Sequence, residues 1–227
     1  MIRILGDGTL ADAIRMCVET STPETVVWVA YDTPINTDGT AAVDYVVRET
    51  CQELADIPNG AIVILSSQLP VGTCARFETW YPQHRFVVYP ENLRVKTAER
   101  DFRHQARILL GTRHETIRPY LMNLFHPYTH NIIFMSPESA EMVKHALNTY
   151  LAMCITFAND IGRICALIGA DPDAVTEGLL TELRVSPKAP LHPGGPYGGG
   201  HLARDVKYLL NLNPTPLLEA IYDGRER

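Results

Sequence analysis

Three groups of residues in this chain have types and spacings that can do chemistry. The first is Gly6-Asp7-Gly8-Thr9-Leu10-Ala11, directly after the apolar Ile2-Arg3-Ile4-Leu5. Between a strand and a helix, a Gly-x-Gly-x-x-Ala turn can cradle a phosphate. The first glycine permits the tight turn, the second lets the backbone approach a pyrophosphate, and the alanine lets the helix sit close to the strand. A bare tight turn of an α/β protein is the other reading of these residues. The second group is Lys144 and Asn148, four apart and therefore on one helix face, among almost wholly apolar neighbours. A buried lysine needs a partner and can then act as a general acid or base. On spacing alone, a lysine reaching to the surface beside an asparagine bonded to backbone is the simpler account. The third group is Pro196-Tyr197-Gly198-Gly199-Gly200-His201-Leu202-Ala203-Arg204-Asp205. Its glycines admit close approach of a ligand, and His201 and Asp205 follow at helical spacing, as a base, a metal ligand or a helix-end pair would. Without further context, a flexible loop and a surface ion pair explain them as well.

The elements that must position these groups are legible in the apolar pattern. Val26 to Ala30, Ala61 to Leu65 and Arg85 to Tyr89 are apolar runs rich in β-branched residues, the mark of strands buried on both faces. A helix to about Thr20, another over 42–55 and the breakers at Pro23 and Pro58-Asn59-Gly60 separate them. Alternating strand and helix predicts a parallel sheet with right-handed crossovers. Further strands are expected at 107–110 and 131–135 around a helix at 114–125. Ser136 and Pro137 then make a good helix start, and no breaker follows until Gly169-Ala170-Asp171-Pro172, with only Gly162 inside. Apolar residues lie nearly all round this long helix, which predicts burial on two sides and a second copy of the chain over 138–169. A helix over 173–183, a Pro/Gly-rich loop at 186–200 and a last helical stretch complete the chain.

A net charge of −6, with no lysine- or arginine-rich run, argues against nucleic acid and anionic membrane as partners. Five scattered cysteines without a CxxC pair imply reduced thiols, and neither a disulfide framework nor a metal site. The N-terminus has no signal-peptide layout, and no unbroken apolar run approaches membrane-spanning length, so a cytoplasmic protein is expected.

Five segments, in order, resemble the UDP-glucose/GDP-mannose dehydrogenase family. VVWVAYDTPINTDGTAAVDYV (26–46) is similar to its strand, Thr-Pro, Asp-Gly and helix segment, and SQLPVGT (67–73) to its Ser-Thr-x-Pro-x-Gly-Thr loop. YPENLR (89–94) resembles its Pro-Glu-Phe-Leu-Arg motif. AEMVKHALNTYLA and the residues on to Gly178 resemble its central helix, and PYGGGHLARD its Gly-Tyr-Gly-Gly-x-Cys-x-x-Lys-Asp loop. The resemblance implies NAD as cofactor and a nucleotide sugar or another small alcohol as substrate. It places the cofactor on the Gly6–Leu10 turn, with Thr33-Pro34 bordering the nicotinamide and Ser67 in the neighbouring loop. Lys144 and Asn148 would hold the substrate hydroxyl and a water, Glu91 would be an acid/base, and Asp205 would join the proton network. Arg184 would reach a substrate in a partner subunit, and Gly198 and Gly199 would line the substrate.

The chain also departs from the pattern. The family oxidises an alcohol to an acid in two hydride transfers through a covalent cysteine intermediate, and that position is His201, which cannot form a thioester. Gln68, Arg204 and Val95 replace a threonine, a lysine and a commonly acidic residue. The family's strand, helix and strand between the first helix and the Val26 segment are missing, and its C-terminal nucleotide-binding domain is expected to be absent. Asp32 follows Ala11 by 21 residues, close to the spacing of a ribose-binding acid. The Thr-Pro and Asp-Gly that follow instead assign Val26–Ala30 as the family's fourth strand, with Asp32 near the nicotinamide end. The expectation is an α/β protein: a shortened Rossmann-like parallel sheet over 1–135, then an α-helical dimerisation domain over 136–227 with one long central helix. Its function would be one alcohol-to-aldehyde step, with Lys144, Glu91 or His201 taking the hydroxyl proton. The alternative is a degenerate member that binds, or is completed by, a partner.

Overall fold

Each β-branched run becomes a strand, because a segment apolar on both faces is stable only between two covering layers. The computed structural model describes residues 1–34, 41–198 and 200–226. Its strands are Ile2–Leu5 (β1), Val26–Val29 (β2), Ile62–Leu65 (β3), Arg85–Val88 (β4), Ile108–Gly111 (β5) and Ile132–Met135 (β6), side by side in sequence order. Between them lie helices Thr9–Cys17 (α1), Val43–Ala55 (α2), Thr73–Trp80 (α3), Ala98–Arg103 (α4) and Arg118–Phe125 (α5). The first helix stops short of Thr20, whose carbonyl instead accepts the Ile2 N–H at 2.9 Å.

Two features correct the expected all-parallel, right-handed sheet. First, β4 and β5 are antiparallel, meeting through Val88 opposite Gly111, while every other neighbouring pair is parallel. The connection between them, residues 89–107, is long enough for a parallel return, so the alternation of strand and helix does not by itself fix the direction of β5. Second, α1 packs on one face of the sheet, against Trp28, Ile64 and Phe102, whereas α2 and α3 pack on the other, around Val27, Val63 and Phe86. Strands that advance in one direction keep their helices on one face only if all crossovers share a hand. With α2 and α3 in the usual right-handed sense, the β1–α1–β2 connection is the left-handed exception. A strand, helix and strand missing between α1 and β2, as the sequence suggests, would produce such an exception.

The first face is closed by aromatic side chains. Trp28 lies edge-on to Tyr89 and Phe125, with ring centroids 5.8 and 5.5 Å apart, and all three are fully buried. Its Nε1 donates to Ser66 Oγ at 2.8 Å, so the one polar atom of the indole is satisfied.

Helix α6 (Pro137–Ile168) starts where expected, with the Ser139 N–H donating to Ser136 Oγ at 3.2 Å. Contacts divide the chain inside this helix. Residues to Lys144 belong to the sheet unit and those from His145 to a second, helical unit. The first turns of α6 join the sheet because Ala140 rests on Gly111, where a Cβ would stand 2.6 Å from Ala140 Cβ and 2.8 Å from Pro137 Cα. By length and composition α6 is apolar enough to cross a membrane, with a mean hydropathy of 1.6 over its most apolar window. The helix nonetheless carries polar residues such as His145, Asn148 and Asn159, so its apolar run is not unbroken.

The second unit holds the rest of α6 with Pro172–Leu180 (α7), Gly200–Leu212 (α8) and Pro216–Asp223 (α9). Asp171 caps α7 by accepting from Asp173 N at 3.0 Å, and Thr215 caps α9 by accepting from Leu218 N at 3.3 Å, each followed by proline at the first helical position. Gly162 is required where it interrupts α6, since a Cβ there would meet Pro193 Cβ at 2.7 Å.

We expect Gly111→Ala to lower stability by about 1–3 kcal/mol, the usual cost of overpacking. Gly178→Ala, in open space inside α7, should raise it by about 0.5–1 kcal/mol. Chemical denaturation of both variants checks the pair, and a Gly111→Ala protein as stable as the parent would refute the close contact.

Candidate functional site

The glycine turn has the backbone expected of a phosphate cradle: Gly6 and Gly8 hold φ of 105° and 100°, and Ala11, in the first turn of α1, is completely buried. Gly6 is compulsory, because a Cβ there would lie 2.6 Å from the Ala30 carbonyl and the Tyr31 nitrogen. Thr9 opens α1 and Asp7 is exposed, but the Leu10 side chain is buried in the core, so Leu10 has only its backbone to offer a ligand. At the ends of the next strands, buried Thr33 donates through Oγ1 to the Gln68 carbonyl at 3.0 Å, and Pro34 is exposed. Ser67 Oγ is buried without a hydrogen-bond partner, an unsatisfied group at the carboxyl end of β3. Positive-φ glycines at a helix N-terminus and an orphaned hydroxyl fit a dinucleotide in shape. Asp32 lies against Gly8, with its Cγ 2.7 Å from where a Gly8 Cβ would stand.

Glu91 and Lys144 meet inside the sheet unit. Lys144 Nζ donates to the Glu91 carbonyl and lies 3.5 Å from Glu91 Oε1, with side chains only 14% and 16% exposed. The lysine is therefore neither a surface group nor an unpaired buried charge. Glu91 Oε2 accepts from Leu93 N at 2.6 Å. The following turn is locked by Arg94, whose Nε and second guanidinium nitrogen donate to Asp101 at 2.8 and 2.9 Å. Arg94 and Thr97 hold the Asp101 carboxyl far below the usual carboxylate range. Sequence reasoning missed Glu141, one turn before Lys144. Its buried carboxylate accepts from Gly72 N at 2.6 Å and Cys74 N at 2.9 Å, capping α3 from outside that helix. Its place three residues before Lys144 was the available signal.

The second unit carries a separate polar centre. Asp205 is 0% exposed and accepts from Asn148 Nδ2, and His145 Nδ1 lies 3.0 Å from its other oxygen. His145 is 1% exposed and stacks edge-on against Tyr208 at 5.1 Å. Burial pushes the Tyr208 phenol up to about 12, which keeps it neutral. The histidine brought to Asp205 is thus His145, which the sequence reading passed over, while the exposed His201 faces Arg204 through Nδ1 at 3.0 Å. His145 stands three residues before Asn148, and that spacing could have found it.

The Pro/Gly-rich segment is pinned rather than loose. Asn159 accepts from Gly194 N at 2.8 Å and donates to the Gly195 carbonyl at 3.1 Å, and the Tyr197 hydroxyl donates to the Ile221 carbonyl at 2.9 Å. Gly198 is exposed, and Gly199 lies outside the described residues. Arg184 is 87% exposed and paired with Glu182 at 2.9 Å.

Residues 11–129 match the UDP-glucose/GDP-mannose dehydrogenase family, NAD binding domain, and residues 138–221 match the same family's central domain. The chain is 31% identical to the UDP-glucose 6-dehydrogenase of Pseudomonas aeruginosa over 88% of its own length and 48% of that protein's. It is 30% identical to the UDP-glucose 6-dehydrogenase YwqF of Bacillus subtilis over 82% and 44%. It thus spans about half the length of the curated relatives it matches. A UDP-glucose dehydrogenase structure from Pyrobaculum islandicum shares the fold, with a TM-score of 0.79 at 24% identity over 89% of this chain and 50% of that one.

Asp205→Ala would leave the Asn148 amide and His145 facing a buried void. We expect a loss of about 2–5 kcal/mol, read as a fall in Tm with a native-like far-UV spectrum at low temperature. A change within about 0.5 kcal/mol, the range of ordinary surface substitutions, would show that the network does not form.

Proposed function

Because the chain belongs to the UDP-glucose/GDP-mannose dehydrogenase family, whose NAD-binding region alone matches more than half of it, we propose that it is an NAD-linked oxidoreductase. Its substrate would be a nucleotide sugar or a related small alcohol, oxidised once, to the aldehyde. The observation that carries this reading is the Lys144–Glu91 pair at the carboxyl edge of the sheet. NAD⁺, when bound, supplies the acceptor for one hydride. Gly6, Gly8 and Thr9 would hold it through backbone, with Ser67 and Thr33-Pro34 at its other end.

Oxidising an alcohol releases a hydroxyl proton as the C–H bond gives up its hydride. Lys144 and Glu91, 3.5 Å apart and largely shielded from water, would receive that proton and share it. Within the helical unit, Asp205 keeps the Asn148 amide fixed. The limit to one step follows from His201, which stands where the resemblance puts the nucleophilic cysteine. A thiolate adds to the aldehyde and leaves a hemithioacetal that can lose a second hydride, and imidazole lacks this route. Cys154 and Cys165, the cysteines of the second unit, are both buried and cannot take its place.

We expect one NADH and an aldehyde, trapped as its hydrazone, per UDP-sugar consumed, and no turnover by Lys144→Ala. Two NADH and a uronic acid would refute the single step. Full activity in the lysine variant would refute the assignment of the base.

The partner we propose for α6 is a second copy of this chain. Tyr150, Phe157 and Ile164 repeat every seven residues and are 45%, 46% and 50% exposed, and Leu167 and Ile168 extend the row. A seven-residue apolar repeat is the pattern by which one helix packs along another. The exposed Asp160–Arg163 ion pair interrupts the helix surface beside it, which suits a helix packed on one side rather than one sunk in lipid. Light scattering should give a dimer at micromolar concentration, and Phe157→Asp should yield a folded monomer. A monomeric parent chain would end this proposal and with it a cross-subunit role for Arg184.

A further inference from the structure

We propose that Asp32 is a specificity-determining residue of the glycine turn: its carboxylate holds the anion position at the head of α1, and a pyrophosphate binds only by displacing it. The inference rests on the cofactor reading above, and it concerns what that site selects.

The backbone that carries the exposed Asp32 is anchored on both sides. Ala30 N donates to the Leu5 carbonyl at 2.8 Å, and Gly6 lies so close to Ala30 and Tyr31 that any Cβ would collide with them. The end of β2 is therefore pressed against the turn between β1 and α1. On the far side, the Thr33 hydroxyl ties the same segment to the Gln68 carbonyl at 3.0 Å. Between these two anchors the Asp32 side chain reaches across Gly8. A Cβ on Gly8 would stand 2.7 Å from Asp32 Cγ and 3.3 Å from Oδ1, and would collide with Oδ2. A carboxylate in van der Waals contact with the Gly8 backbone thus fills the space that the missing side chain opens.

That space is the one a phosphate would use. Gly8 is the N-cap of α1 and has no side chain with which to cap it. The first N–H groups of a helix lack intrahelical acceptors, and the helix dipole adds attraction for negative charge there. A carboxylate and a phosphate compete for the same field. With Asp32 in place, an incoming pyrophosphate meets both an occupied position and a like charge at close range, which a neutral ligand would not. The spacing of Asp32 from Ala11 resembles that of a ribose-binding acid, yet its position over Gly8 makes it a rival of the cofactor's phosphates.

The test is calorimetric titration of the full chain with ADP-ribose, NAD⁺ and adenosine, in the parent, Asp32→Asn, Asp32→Ala and Asp32→Glu. Circular dichroism confirms that each is folded. The proposal requires Asp32→Asn and Asp32→Ala to bind ADP-ribose and NAD⁺ at least tenfold more tightly than the parent. Asp32→Glu, which keeps the charge, should show no such gain, and adenosine, which has no phosphate, should bind all four alike. If the parent binds NAD⁺ and the neutral variants gain less than tenfold, or bind more weakly, Asp32 is not the competitor and the cofactor reading stands without it. An equal gain for adenosine, or for Asp32→Glu, overturns the proposal as well, since phosphate charge would not be the cause. If no folded form binds NAD⁺ or ADP-ribose, both the proposal and the cofactor reading fall.

Discussion

The carboxylate of Glu141 is buried and accepts from two backbone N–H groups at the head of α3, at 2.6 and 2.9 Å. Charge-assisted bonds of this kind are strong and directional, and these join the start of α6 to the loop that follows β3. One residue earlier on the helix, Ala140 sits on Gly111, the last residue of β5, at a distance that no side chain larger than hydrogen would allow. The two contacts fix both the height and the rotation of the first turns of α6 on the sheet. Lys144, the next turn along, is thereby delivered to Glu91. Without that attachment, a flexible four-carbon side chain would have no reason to meet this carboxylate rather than water.

In the helical unit the corresponding role falls to Asp205. A buried carboxylate is tolerable only when its oxygens are matched by donors, and here Asn148 and His145 supply them. Asn159 and Tyr197 pin the glycine-rich segment in the same way, by bonding its backbone. Both units therefore place chemically capable groups by giving buried polar atoms specific partners, and apolar packing supplies the frame.

The strands were legible in the sequence because β-branched runs such as Val26–Val29 and Ile62–Leu65 admit few other fates. So was the start of α6, where Ser136 and Pro137 are a local signal with a local cause. The reversal of β5 was not legible, because the connection before it is long enough to deliver the strand in either direction. Nor was the hand of the first crossover, which depends on which face each helix covers. At the candidate site the Lys144–Glu91 meeting followed the family resemblance, but His145 and Glu141 did not stand out. Each is a polar residue inside a helix, and only the fold decides whether such a residue faces solvent or a buried partner. The contact of Asp32 with Gly8 was not legible, because the two are far apart along the chain and meet only across the β1–β2 pair. A looser Pro/Gly segment was expected for the same reason: its restraints, Asn159 and Tyr197, carry no mark of what they bind.

The unusual hand of the β1–α1–β2 connection bears on the order in which the sheet assembles and comes apart. Strands β2, β3 and β4, with α2 and α3, form an unbroken run of parallel neighbours of one hand, the arrangement that local chain geometry favours. Strand β1 is at the margin of the sheet, hydrogen-bonded to a neighbour on one side alone, and α1 must fold back in the disfavoured sense to reach it. Segments with fewer shared contacts open at lower free energy than the core and do so as cooperative pieces. The first seventeen residues are such a piece, so their amides should exchange with solvent ahead of those in β3. They also carry the glycine turn, and a nucleotide that bound there would act as a clasp, drawing the most detachable part of the sheet into its most durable part.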